Sequence, residues 1–189
     1  MDFSEKDLED IIFEAMETRN GINNLRLRGL PVNGYPARQV KLGNYGRIDI
    51  LTVSLFKKLG HKPYTLEFTV YELKKDEIDM DTIIQGCRYV EGLKHLFENT
   101  DERIEVVFSL RLIGRKIDMN DYVFVYNNLP ENFEIYTYKY SMDGISFELH
   151  DKTFVRSEPS FSDKIKNIAS APGVAMIRSL LNFTDQEYE

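Results

Sequence analysis

Gly46-Arg47-Ile48-Asp49-Ile50-Leu51 and, after a connection, Tyr71-Glu72-Leu73-Lys74 decide how this chain is read. Both segments have the composition of short apolar strands, and each carries a carboxylate in its interior or at its end. Burying a carboxylate costs several kcal/mol unless something pairs with it. A divalent cation shared by Asp49 and Glu72 would offset that cost. Lys74 follows Glu72 by two residues, which on a strand puts both on one face. A helical stretch comes next, with Gln85 and Tyr89 one turn apart on one of its faces.

Working outward, Ser4 is placed to cap a helix, with Asp7 completing a capping pattern. Leu8, Ile11, Ile12, Ala15 and Met16 then recur at helical spacing, and Gly21 is the expected stop. Residues 22–45 hold Gly29, Pro31, Gly34, Pro36 and Gly43 and read as loop-rich. Within them Leu25-Arg26-Leu27-Arg28 alternates like a half-buried strand, and Ala37 to Val40 is another strand candidate. Arg47 to Ser54 and Tyr64 to Leu73 are strands joined by a polar turn from Lys57 to Pro63. Asp81 to Phe97 reads as a helix, begun by Asp79 and Asp81, with Ile83, Cys87, Val90, Leu93 and Phe97 on its apolar side. Ile104 to Leu112 is an apolar strand expected to be buried on much of both faces.

Further strands are expected at Tyr122 to Tyr126, Glu134 to Tyr140 and Ile145 to Leu149, with Asp143-Gly144 as a turn. Ser157, Pro159 and Ser160 mark a break, and short helices are expected at Ser162 to Ser170 and Val174 to Leu181. The order helix, strands, helix, strand predicts an α/β fold with a mixed central sheet flanked by helices. Residues 1–150 form the expected domain and residues 151–189 a C-terminal extension with helical pieces.

The chain has 189 residues, 42% of them hydrophobic and 29% charged, enough for a real core in a domain of ordinary composition. No stretch has the apolar length of a membrane span, and the acidic start Met1-Asp2-Phe3-Ser4-Glu5 does not read as a signal peptide. The single cysteine, Cys87, excludes an internal disulfide and a cysteine zinc site, so a reducing, cytoplasmic setting is expected. His61, His95 and His150 lack ligand spacing. The formal charge of −7 weighs against tight non-specific binding to nucleic acid, whose phosphates attract Lys and Arg. Arg26, Arg28, Arg38, Lys41 and Arg47 nevertheless lie close together in sequence.

The order Gly-Arg-Ile-Asp, then Glu-x-Lys on a strand, then Gln-x-x-x-Tyr on a helix resembles the PD-(D/E)XK nuclease superfamily. Within it the chain is most similar to the GRIDxL branch, typified by the C-terminal domain of archaeal-type mismatch and flap nucleases. The resemblance spans residues 4–112, and more loosely the strands to residue 150. It implies a restriction-endonuclease-like core and metal-dependent hydrolysis of phosphodiester bonds, with DNA as the first expectation. Mg²⁺ suits the pair, because it keeps several waters and needs only one or two protein carboxylates, and Mn²⁺ is the alternative.

Asp49 and Glu72 would hold the metal, with the Leu73 carbonyl as a further oxygen ligand. Lys74 would orient or help deprotonate the attacking water and screen the phosphate. The family often has a glutamate after a leucine on its first helix. Leu8-Glu9 matches that pattern, so Glu9 is the choice there and Glu5 the second. Gln85 matches the family's helix glutamine, with Tyr89 beside it on the substrate side. Arg47 either contacts a phosphate or balances the carboxylates. The chain departs from the namesake motif in having Ile48 where a proline would precede Asp49. Together with the acidic charge and the aromatic-rich region from Tyr122 to Tyr140, this leaves a second reading: a catalytically inactive nuclease-like scaffold that binds a protein partner or a second copy of itself.

Overall fold

The structure, a computed structural model, describes residues 4–57, 64–98, 104–117 and 129–150. The first helix, α1 (Glu5–Met16), starts where the sequence places it. Ser4 Oγ accepts the Asp7 N–H at 3.1 Å, and the Asp7 carboxylate accepts the Ser4 N–H at 2.7 Å, closing a capping box. Leu8, Ile12 and Met16, four residues apart, form the buried stripe. Ile11, expected in that stripe, lies one position round the helix and is exposed.

The passage after α1 corrects two expectations. Gly21 does not end the first helix, which stops at Met16, and Leu25 to Arg28 is not a strand. Gly21 and Leu25 to Leu27 belong to a second helix, α2 (Arg19–Leu27), with Arg28 as its C-cap; its N-cap Thr18 accepts the Gly21 N–H at 3.0 Å. Residues 22–45 are therefore less loop-rich than their glycines and prolines suggest, since the first strand, β1 (Tyr35–Lys41), follows.

A six-stranded sheet forms the body of the described residues. After β1 come a short 3₁₀ turn (Gly43–Tyr45), β2 (Arg47–Lys57), β3 (Tyr64–Leu73), a two-residue strand β4 (Glu77–Ile78) and α3 (Met80–Leu96). Next are β5 (Ile104–Gly114), β6 (Lys116–Ile117), β7 (Phe133–Ser141) and β8 (Gly144–Leu149). The sheet order is β1-β2-β3-β5-β7-β8, while β4 and β6 pair separately. Strands β3, β5 and β7 run parallel, and the outer neighbours β1, β2 and β8 pair antiparallel. Parallel neighbours need a crossover, and α3 supplies the one between β3 and β5. The fold is thus mixed α/β, with three helices among the described residues.

Side-chain alternation divides the core into two layers. Leu66, Phe68 and Val70 of β3, with Leu110 and Leu112 of β5, meet Ile83, Val90 and Leu93 of α3. On the opposite face Tyr71, Leu73, Ile113, Tyr136 and Tyr138 meet Leu8, Ile12 and Met16 of α1 and Leu25 of α2. Expected burial of β5 on both faces holds only for its second half, because Ile104 to Phe108 are half-buried. Asp79 caps α3 by accepting the Thr82 N–H at 2.8 Å. The expected strand at Tyr122 to Tyr126, the turn after Lys57, His61 and everything beyond residue 150 lie outside the described residues. Among the described residues no helix is long and apolar enough to cross a membrane.

Candidate functional site

Strand register brings the two carboxylates together. Ile50 pairs with Tyr71 across β2 and β3, so the next position places Asp49 opposite Glu72. By alternation both lie on the face that carries Leu51, Val53, Phe68 and Val70, the face α3 covers. Asp49 is half-buried, and its Oδ2 accepts the Leu73 N–H at 2.9 Å. Glu72 is only 1% exposed. Its Oε1 accepts a 2.8 Å hydrogen bond from Lys74 Nζ, and its Oε2 is buried without a hydrogen-bond partner.

The electrostatics follow from that crowding. Desolvation, then the charge of Asp49, pushes the Glu72 carboxyl up to about 7 against the pull of Lys74. Desolvation also raises Asp49, opposed by the Leu73 N–H and by Lys74. Burial acts to lower Lys74, but the hydrogen bond and charge of Glu72 outweigh it and raise its pKa. Lys74 therefore holds its proton in this arrangement, which suits orienting and charge screening better than abstracting a proton.

Helix α1 contributes two glutamates to this neighbourhood. Glu9 is buried, with Oε1 accepting from Arg38 Nε at 3.0 Å and Oε2 from Gln39 Nε2 at 2.9 Å. Glu5 accepts the Lys75 N–H at 3.2 Å, and its charge acts on Asp49, Glu72 and Lys74. Glu9 too acts on Asp49 by its charge, so α1 brings both carboxylates near the pair, Glu9 with both oxygens engaged by side-chain donors and Glu5 with one engaged by a backbone N–H. Gln39 went unnoticed in the sequence. It is the one non-glycine with positive φ (54°) among the described residues, and it lies opposite Asp49 between the Arg38–Ile50 and Val40–Ile48 pairs.

On α3, Gln85 Nε2 donates to Tyr89 Oη at 2.6 Å. Tyr89 is buried, and burial raises its pKa, opposed by the Gln85 bond and reinforced by the charges of Glu72 and Asp49. Its ring lies against Gly46, where an added Cβ would meet Cε1 at 3.0 Å. Gly46 also has φ +113°, so the glycine of Gly-Arg-Ile-Asp answers both a backbone and a packing demand. Arg47 is exposed beside it. The clustered arginines prove to have separate duties. Arg26 donates to Val32 O and Asn33, Arg28 to Asp143 O and Ile145 O, and Arg38 to Glu9 and Asp10.

No protein-family model matches this chain, and neither a curated protein nor a solved structure does. Among the described residues no three His, Cys, Asp or Glu side chains form a ready-made metal cage. A two-carboxylate Mg²⁺ site, completed by water, needs none. The donor set at Asp49 and Glu72 fits such an ion on one observation: the Glu72 Oε2 lone pairs are buried and unused.

Proposed function

We propose that this chain is a metal-dependent nuclease with a restriction-endonuclease-like core, hydrolysing phosphodiester bonds in nucleic acid, DNA first. The observation that carries the reading is the Glu72 carboxylate, 1% exposed, beside Asp49, with one oxygen unpartnered and the other on Lys74 Nζ. Proteins seldom leave such a group buried without a task, and strongly shifted carboxylates gather at functional sites. Asp49 and Glu72 would hold Mg²⁺ or Mn²⁺, with Glu5 or Glu9 and the Leu73 carbonyl as further oxygen donors. A bound divalent ion supplies an activated water and stabilises charge on the phosphoryl oxygens. Lys74 places its positive charge beside the reacting phosphate, and the Gln85–Tyr89 pair fixes the wall on the α3 side.

The test is cleavage of single-stranded, duplex and branched DNA by the pure protein with Mg²⁺, Mn²⁺ or EDTA. Wild type is expected to cleave with metal and not in EDTA. Asp49→Ala and Glu72→Ala are expected to abolish cleavage, and Lys74→Ala to slow it while metal binding stays largely intact. Cleavage by the carboxylate variants at the wild-type rate would sink the reading. The acid excess of the chain favours the other one, an inactive scaffold for a protein partner. That reading predicts no cleavage with any divalent ion.

A further inference from the structure

Beside the carboxylate pair lies a wide, open depression lined by Lys41, Gly43, Asn44, Gly46 and Arg47. Lys41 and Arg47 are direct cross-strand partners in β1 and β2. Like charges placed so repel, and neither side chain has an ion-pair partner among the described residues. A third cation joins them from α3. The Arg88 guanidinium comes within 3.7 Å of where a Cβ on Gly46 would sit, and it too lacks an ion-pair partner among the described residues. Two cations without ion-pair partners thus line one hollow, with a third beside Gly46 at its margin, in a chain with 31 acidic and 24 basic residues. By contrast Arg28, Arg38 and Arg111 all donate to protein oxygens.

The hollow is held in shape. The turn between β1 and β2 is closed by Leu42 N–H to Gly46 O at 2.8 Å and Tyr45 N–H to Leu42 O at 2.9 Å. Tyr45 lies against Gly92 of α3, where an added Cβ would meet its ring at 2.7 Å, and it stacks on His95 with centroids 6.0 Å apart. Gly46 is seated on the Tyr89 ring. Two aromatic side chains thus fasten the turn to α3, with Lys41 and Arg47 lining the hollow and Arg88 of α3 beside Gly46. Tyr89 also links the hollow to the carboxylates: it bonds the Arg47 backbone and feels the charges of Glu72 and Asp49.

We propose that Lys41, Arg47 and Arg88 form a phosphate-backbone site, separate from the carboxylate pair, that grips the sugar-phosphate chain flanking the reacting bond. Its polymeric ligand rests on the nuclease reading, while its preference for phosphate oxygens rests on the three cations alone. Asn44 adds an uncharged donor and acceptor at the rim. The site is offset toward the β1 edge, so it would hold the strand to one side of the point of cleavage.

The test is equilibrium binding in EDTA, where cleavage plays no part, of a labelled duplex and of a single strand of equal length over a range of salt. Neutralising one phosphate contributes about −0.9 to the log–log salt slope on duplex and about −0.7 on a single strand. Lys41→Ala, Arg47→Ala and Arg88→Ala are each expected to weaken binding and to flatten the slope by about that much, with melting temperatures unchanged. Lys139→Ala, on β7 toward the other end of the strand order, is expected to do neither. Glu72→Gln is expected to bind at least as well as wild type, because it removes a negative charge near the strand. The proposal is overturned if the three variants bind like wild type, if Lys139→Ala flattens the slope equally, or if wild type binds neither oligonucleotide. Displacement of the oligonucleotide by inorganic phosphate at matched ionic strength would also overturn it, in favour of a pocket for a free anion. Binding that depends on the three cations, without cleavage under any metal, would keep this site and remove the nuclease reading.

Discussion

Glu72 is the residue on which sequence and structure agree most closely, and its titration has a direct consequence for stability. Its carboxyl, near 4.5 in an unfolded chain, is raised to about 7 in the fold. Between those values the native state keeps a proton that the unfolded state has lost, so unfolding becomes easier as pH rises. The stabilisation is complete below 4.5 and gone above about 7, and a shift of this size corresponds to roughly 3 kcal/mol. Asp49 is raised too, so the two carboxyls titrate as a coupled pair, beside the charges of Lys74 and Glu5. The helix caps Asp7 and Asp79 behave oppositely: their pKa values are lowered from 3.8, so what they contribute is lost only in more acidic solution. We expect the melting temperature in EDTA to fall between pH 5 and 8, and Glu72→Gln to flatten that fall and exceed wild type at pH 8. A variant melting below wild type at pH 8 would refute the assignment. Asp49, Glu72, Lys74, Gln85 and Tyr89 were legible because strand alternation and helical spacing fix their faces. Gln39 was not, because nothing in Arg38-Gln39-Val40 announces a positive φ. The choice between Glu5 and Glu9 was not, because it depends on how α1 docks on the sheet edge.

At the scale of elements, β2, β3, α3 and β8 were readable from local pattern, whereas α2 was misread. Leu25-Arg26-Leu27-Arg28 alternates as a strand would, yet the structure buries Leu25 and leaves Leu27 87% exposed. The alternation marked no two-sided surface; Leu27 is an apolar residue on a solvent face. The decisive signal was Gly29, read as a loop glycine. With φ +96° it ends the helix in a Schellman arrangement, with Leu30 N–H on Leu25 O at 2.8 Å and Gly29 N–H on Arg26 O at 3.1 Å. Leu25 and Leu30, both buried, make the accompanying apolar contact. The same stop fastens α2 to the last hairpin. Phe147 N–H donates to Arg28 O at 2.7 Å, and the Arg28 guanidinium reaches Asp143 O at 2.6 Å and Ile145 O at 3.0 Å. A Cβ on Gly29 would both strain the backbone and collide with Phe147 O. We expect Gly29→Ala to destabilise the fold by about 2–4 kcal/mol in urea titrations, from the left-handed penalty plus the clash. A loss below about 0.5 kcal/mol would mean that the turn relaxes and that α2 is not held through it.

The whole molecule joins these elements through one buried polar network on the α1 face of the sheet. Arg111, in the centre of the sheet on β5, donates from Nε to Glu134 Oε2 at 3.0 Å and from Nη1 to Tyr71 Oη at 2.8 Å. It also donates to Pro31 O, and its guanidinium lies over the Tyr71 ring, 5.5 Å from the centroid. Tyr136 Oη closes the network on Glu134 Oε2 at 3.0 Å. Four parts of the chain that are distant in sequence meet there: the α2–β1 connection, β3, β5 and β7. Tyr71 immediately precedes Glu72, so the network fixes one face of the strand whose other face carries the site. Sequence reading had no access to this, since an arginine in an apolar strand gives no sign of partners 40 and 80 residues away. Breaking a buried pair from one side is costlier than never having built it, because the partner charge stays desolvated. Arg111→Met keeps the length and apolar bulk of the side chain but takes from Glu134 its Arg111 ion pair, and we expect a loss of about 3–5 kcal/mol. Arg111→Met with Glu134→Gln also removes the partner charge and is expected to recover part of that loss, measured by urea unfolding at pH 7. Additive losses in the double variant would show that the two side chains act independently. The expected coupling would instead tie the stability of the central sheet to the placement of Glu72, so that under the proposed function Arg111→Met is expected to weaken divalent-ion binding too, without altering Asp49 or Glu72.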